Sequence, residues 1–290
     1  MAKVKKSIDL KKALPLILLA AVLSLTACRN SRPPEYTIVR LRDGAVISFS
    51  QMIKEIEGVD FVFVGEVHDS EKSHQVQLQI IKELHKRRLP LAVGFEMFWA
   101  KSQPELNKWI AGDMDEEDFI RLYYRNWRLP WPYYSDILLY LRKQKIPMVG
   151  LNIPWQVSQK VASNGAASLT KEELAELPPG LSCDVSPDYK AFIRKVFTEH
   201  ANQGGDSFQN FCEAQVLWDK VMAWHLVEHE KKNPATTVVL SGVVHALKRG
   251  IPSQVLKLQK KSTIRIIVPE APGINMQAIT EKLADYLILN

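Results

Sequence analysis

The chain has 290 residues, 46% of them hydrophobic and 24% charged, with 13 Gly and 16 Pro. That profile excludes a disordered chain, a collagen and a coiled coil, and it fits a globular protein of one or two domains. The net charge of +6 would suit a nucleic-acid binder, but five lysines against Asp9 alone fall in the first 27 residues. The remainder carries only +2, so no nucleic-acid partner is expected.

In chain order the first element is a targeting segment. A lysine-rich start leads into Ala13–Leu23, an apolar run too short to cross a bilayer core of about 30 Å but suited to a signal peptide. Leu25-Thr26-Ala27-Cys28 has the form of a bacterial lipobox. Residues 1–27 then read as a lipoprotein signal peptide, Cys28 as the lipidated N-terminus and 28–35 as a tether. Such an anchor holds a protein to a membrane surface without a spanning helix. Arg29 stands where inner-membrane retention uses Asp, which favours the periplasmic side of the outer membrane. In that oxidising setting Cys183 and Cys212 are either one disulfide or two buried thiols.

From residue 36 to 290 the pattern predicts a single α/β domain: a largely parallel central sheet flanked by helices, with helical insertions. A hairpin over Tyr36–Phe49 turns at Asp43-Gly44. Strands come next at Asp60–Val64, Leu91–Phe95, Pro147–Leu151, Thr236–Leu240 and Thr263–Val268. Ser73–Arg88 sets Leu78, Ile81 and Leu84 on one helical face with basic residues in its last turn. Asn107–Leu141 and Asp188–Lys231 read as mostly helical, and Ser163–Pro187 as loop.

The residues just past the strands carry the chemistry. Gly65-Glu66-Val67-His68-Asp69 comes after the first, Glu96 after the second, Asn152 after the third and Gly242-Val243-Val244-His245 after the fourth. Open α/β sheets bind ligands beyond the carboxyl ends of their strands. Glu66, His68, Glu96 and His245 therefore make a candidate site for a divalent metal ion (Zn, Mn or Fe) or an acid–base cluster.

These residues carry a resemblance. Gly65-Glu66-x-His68-Asp69 with His74 and Gln77 downstream, then Phe95-Glu96-Met97-Phe98, resembles the haem-binding uptake family ChaN of the Tiki superfamily. The likeness continues through Trp127, Tyr133-Tyr134, Gly150-Leu151-Asn152, Gln215-x-x-Trp218-Asp219-x-x-Met222-Ala223, Gly242-x-x-His245 and Gly250-Ile251-Pro252. It implies an α/β fold like that of the erythromycin-esterase-like proteins, an outer-membrane lipoprotein, and haem binding linked to iron uptake. An outer-membrane haem receptor and a homodimer sharing the haem face are partners compatible with it. Some branches of the superfamily are metal-dependent proteases or hydrolases, the alternative reading, in which Glu66, His68, Glu96 and His245 would be catalytic.

Haem takes a flat apolar slot, an axial His, Tyr, Met or Cys, and cations for its propionates. The aromatic run Tyr123–Tyr134 offers Tyr133 and Tyr134 as iron ligands and Arg125 and Arg128 as propionate partners. Tyr189 is a further phenol of the same kind, and His74 could reach a propionate or cap its helix. Trp218, Met222 and Leu226, at helical spacing, read as core. His225-Leu226-Val227-Glu228-His229 matches the H-x-x-E-H pattern of a zinc protease, yet it runs into Lys231-Lys232-Asn233-Pro234 and reads as a solvated helix end.

Overall fold

The computed structural model describes residues 36–200, 207–272 and 274–289. The signal peptide, Cys28 and the tether lie outside them. A hairpin of β1 (Thr37–Arg40) and β2 (Ala45–Ile47) opens the fold, followed by α1 (Phe49–Ile56), whose first turn is capped by the Ser48 hydroxyl. Then β3 (Phe61–Glu66) and α2 (Glu71–Lys86) alternate with β4 (Leu91–Trp99). The first insertion supplies α3 (Gln103–Ala111), α4 (Glu116–Asn126) and α5 (Ser135–Gln144) before β5 (Met148–Asn152). The second supplies α6 (Trp155–Asn164), α7 (Lys171–Ala175), α8 (Pro187–His200) and the long α9 (Phe208–Lys232). The chain closes with β6 (Thr236–Gly242), α10 (Val243–Ala246), α11 (Ile251–Leu258), β7 (Ile264–Pro269) and β8 (Tyr286–Leu289).

The eight strands form one sheet in the order β2-β1-β8-β7-β3-β6-β4-β5. From β8 to β5 every neighbouring pair is parallel, and the β1–β2 hairpin adds an antiparallel edge through β1–β8. The central strands are buried on both faces, which is why they are continuous apolar runs rather than alternations. Val62, Val64, Val93, Phe95 and Val238 meet α1, α2 and the α3–α5 insertion on one face. Phe61, Phe63, Val149, Leu151 and Val239 meet α9 and α11 on the other, where Met222 and Leu226 are core.

The five parallel strands expected from the apolar pattern each run further than it indicates, so Glu66 and Asn152 are the last residues of β3 and β5 and Glu96 lies within β4 rather than in the loops beyond. In β4 the extension contains a bulge: Phe95 pairs with Gly150 and Trp99 with Asn152, four residues of advance on β4 against two on β5. Gln103 patches the gap, its amide donating to the Met148 carbonyl at 2.7 Å and accepting the Gly150 N–H at 3.0 Å. Cys183 and Cys212 form a disulfide that ties the segment before α8 to α9.

Candidate functional site

β3, β6, β4 and β5 lie side by side, and their carboxyl ends deliver the chemistry to one rim. Glu66 ends β3 and is buried. Four side chains surround its carboxylate: His68 Nδ1 at 2.8 Å, Gln77 Nε2 at 2.6 Å, the Tyr134 hydroxyl, and His74 Nδ1 at 3.6 Å. Burial would raise this carboxyl, but the hydrogen bond and charge of His68, with His74 and Tyr134, outweigh it and hold Glu66 below its ordinary range. Burial would likewise lower His68. The Glu66 hydrogen bond and the charges of Glu96, Glu66 and Asp69 prevail and push it up to about 9. His68 is therefore an imidazolium at neutral pH, 37% of its side chain exposed.

A second arm approaches from β6 and α9. His245, on the short helix α10, places Nδ1 2.8 Å from Asp219, and the Tyr189 hydroxyl donates to the other oxygen of the same carboxylate. Asp219 is wholly buried on α9. Glu96 lies between the arms: its Oε2 accepts the Gly242 N–H at 2.7 Å, and its Oε1 is 3.9 Å from His245 Nε2. A Cβ on Gly242 would stand 3.2 Å from the His68 ring and 3.7 Å from Glu96, so the absent side chain is what lets ring and carboxylate meet there. Each arm repeats one design, a tyrosine hydroxyl and an imidazole Nδ1 on a buried carboxylate, leaving the other ring nitrogen unclaimed.

Above this floor opens a cavity of about 630 Å³. Its apolar wall includes Met97, Trp127, Leu129, Ile153, Trp155 and Trp218, and His68, Glu96, Asn152, His245 and Arg128 are among its polar members. The Arg128 guanidinium lies 4.4 Å over the Trp155 ring, and Trp127 meets His68 edge-on at 5.1 Å. The Trp127 indole N–H is buried with no acceptor among the described residues.

Of the residues singled out for metal or catalysis, His68, Glu96 and His245 share this cavity and Glu66 stands behind His68. Both Glu66 oxygens and both histidine Nδ1 atoms are engaged, and no group of three or more His, Cys, Asp or Glu among the described residues is placed to hold a metal ion.

Of the residues singled out for haem, Arg128 alone lines the cavity. Tyr134 and Tyr189 are buried behind it as hydrogen-bond donors to Glu66 and Asp219. Burial and the adjacent carboxylate raise both phenols, so neither is a phenolate facing iron. Their assignment as axial ligands does not fit this placement. Tyr133 packs near His74, with ring centroids 6.0 Å apart, outside the cavity wall. His74 hydrogen-bonds Gln77 and the His68 carbonyl, holding the strand-end loop rather than a propionate. Arg125 is exposed beside Glu105. The sequence pattern alone gave Asp219 no chemical role; its signal was a carboxylate on the apolar side of a helix, between Gln215 and Met222.

Residues 52–255 match the family described as haem-binding uptake, Tiki superfamily, ChaN. The chain belongs to that family. Among solved structures it resembles that of "Cofacial heme binding to ChaN of Campylobacter jejuni", with a TM-score of 0.72 and 19% identity, covering 88% of this chain and 96% of that one. An erythromycin esterase in its open conformation is similar at a TM-score of 0.48 and 14% identity over 80% of this chain and 76% of that one. A curated relative, the chloroplastic protein RETICULATA-RELATED 5 of Arabidopsis thaliana, is 23% identical over 78% of this chain. This chain spans about a third of that relative's length, 33%.

Proposed function

We propose that the chain binds haem in the cavity over the carboxyl ends of β3, β4, β5 and β6, as an outer-membrane lipoprotein of haem and iron acquisition facing the periplasm. The observation that carries this reading is the make-up of the cavity. Trp127, Trp155 and Trp218 with Leu129 and Ile153 form aromatic and aliphatic walls, and about 630 Å³ lies within the range of cofactor pockets, roughly 300–1,000 Å³. Arg128 and the His68 imidazolium are cations suited to propionates, and the unpartnered Trp127 N–H is a further donor. His245 and Met97 are side chains of the kinds haem iron takes. The residues present thus fit the group. Bound haem would supply the iron and its redox chemistry, while the chain's own part is to wall the macrocycle from water and neutralise its carboxylates.

The lipidated Cys28, a homodimer sharing the haem face and an outer-membrane haem receptor belong to the same reading. The family description and the cofacial haem named for the Campylobacter relative support its haem-binding part. Titrating the purified chain with hemin tests the reading. A saturable, sharpened Soret band is expected for the wild type, and Trp127→Ala with Arg128→Ala should weaken binding at least tenfold. A wild-type spectrum that remains that of free hemin overturns it.

One observation favours a second reading, hydrolysis by the strand-end cluster. His245 stands beside Glu96 with Nδ1 fixed on Asp219 and Nε2 free of a hydrogen bond, as a general base requires, and the His68 imidazolium across Glu96 is placed as an acid. Turnover of a generic ester or peptide, lost in Glu96→Gln and His245→Asn, would support it.

A further inference from the structure

At the opposite end of the sheet, where β4, β5 and β6 begin, a second cavity of about 780 Å³ opens between Pro90, Pro147 and Pro234 and the last turns of α9. His225, Glu228 and His229 all line it. Residues four apart on a helix share a face, so the two imidazoles stand one above the other on the cavity wall.

The six histidines whose side chains are described divide by what their rings do. His68 and His245 hold carboxylates, His74 holds Gln77 and a backbone carbonyl, and His85 meets the Tyr140 hydroxyl at 3.1 Å. By contrast, neither ring of His225 or His229 has a hydrogen-bond partner among the described residues. His225 has only the neighbouring Trp224 ring, at 5.0 Å. Two unengaged imidazoles one turn apart on the same helix face can supply a pair of nitrogen donors, and the helix C-terminus on which they sit carries partial negative charge that favours a cation.

We propose that His225 and His229 form a bidentate site for a late first-row divalent cation of the Zn²⁺, Ni²⁺ or Cu²⁺ type, its other positions filled by water. Neutral imidazole is the donor these ions take, in preference to the oxygen ligands that select Mg²⁺ or Ca²⁺. The site is not that of a zinc protease, despite the H-x-x-E-H spacing. Glu228, the residue that would act as base, pairs with Lys231 at 2.9 Å, and no third ligand among the described residues completes a cluster. Lys232 also lines the cavity, but it is exposed and its long side chain can carry its charge into solvent. The proposal is independent of haem, whose cavity lies at the other end of the same strands.

Zn²⁺ added to the ¹⁵N-labelled, full-length chain tests it through the histidine ring nitrogens. The expected result is a saturable shift at His225 and His229 with a rise in melting temperature. Both effects should be lost in His225→Gln and in His229→Gln and kept in His85→Gln. Rings of His225 and His229 that stay unmoved in the wild type at tenfold excess of Zn²⁺ overturn the proposal, as do shifts confined to His68 and His245. Persistence of the response in the double variant overturns it as well. Because the decisive reading is made on the wild type, a variant that folds poorly does not remove the test.

Discussion

At the scale of single residues the site is organised by carboxylates rather than by the imidazoles that flag it in the sequence. Glu66 collects donors from His68, Gln77 and Tyr134, and Tyr134→Phe removes one hydroxyl from a buried charge. That should cost about 1.5–3 kcal/mol in chemical denaturation, and the Soret band of added hemin should be unchanged, since the ring does not line the cavity. His68 gives a pH test. Its value in the folded chain, about 9, exceeds the unfolded value of about 6.5. The stabilisation from its Glu66 contact is therefore complete below about pH 6.5 and is lost as pH rises through about 9. A His68 ring resonance titrating near 9 in the wild type and well lower in Glu66→Gln would confirm it, and equal values in both would refute it. Glu66, His68, Glu96 and His245 were legible as strand-end polar residues because charge after an apolar run is conspicuous. Which nitrogen each ring has free was not, because that depends on Gln77, Tyr134, Asp219 and Tyr189, from four separate helices or turns.

At the scale of elements, the parallel strands were legible because burial on both faces demands unbroken apolar runs. The last strand was not. Tyr286–Leu289 is four residues long, and only its place between β1 and β7 makes it a strand. The β4 bulge was equally hidden, since it exists only against β5. It brings the Trp99 carbonyl to 2.5 Å from where a Gly150 Cβ would stand, a backbone atom that cannot swing aside. Gly150→Ala should therefore cost about 1–3 kcal/mol or more, although alanine at an extended position is otherwise mild, and it should disturb the Asn152–Glu96 contact next door. A denaturation midpoint equal to wild type would show that β4 and β5 are not held so closely.

At the scale of the whole molecule, the sheet has two ends with different linings: a tryptophan-walled cavity over the carboxyl ends and a histidine-lined one beneath. The Cys183–Cys212 disulfide closes a loop spanning 29 residues and fixes the segment carrying Tyr189 against α9. Loop closure of that length stabilises by roughly 3–4 kcal/mol. Cys183→Ser with Cys212→Ser should lower the melting midpoint by roughly 10 °C, read by calorimetry against the oxidised chain. The aromatic run Tyr123–Tyr134 is continuous in the sequence, yet the turn after α4 divides it, sending Trp127, Arg128 and Leu129 to the cavity and Tyr123 and Tyr134 to the core. That division is a property of the assembled fold, not of local composition. The most direct measurement is a crystal structure of the chain with hemin. The account predicts a macrocycle between Trp127, Trp155 and Trp218 with propionates at Arg128 and His68. Haem found away from these walls, or held by Tyr133 outside them, would contradict it.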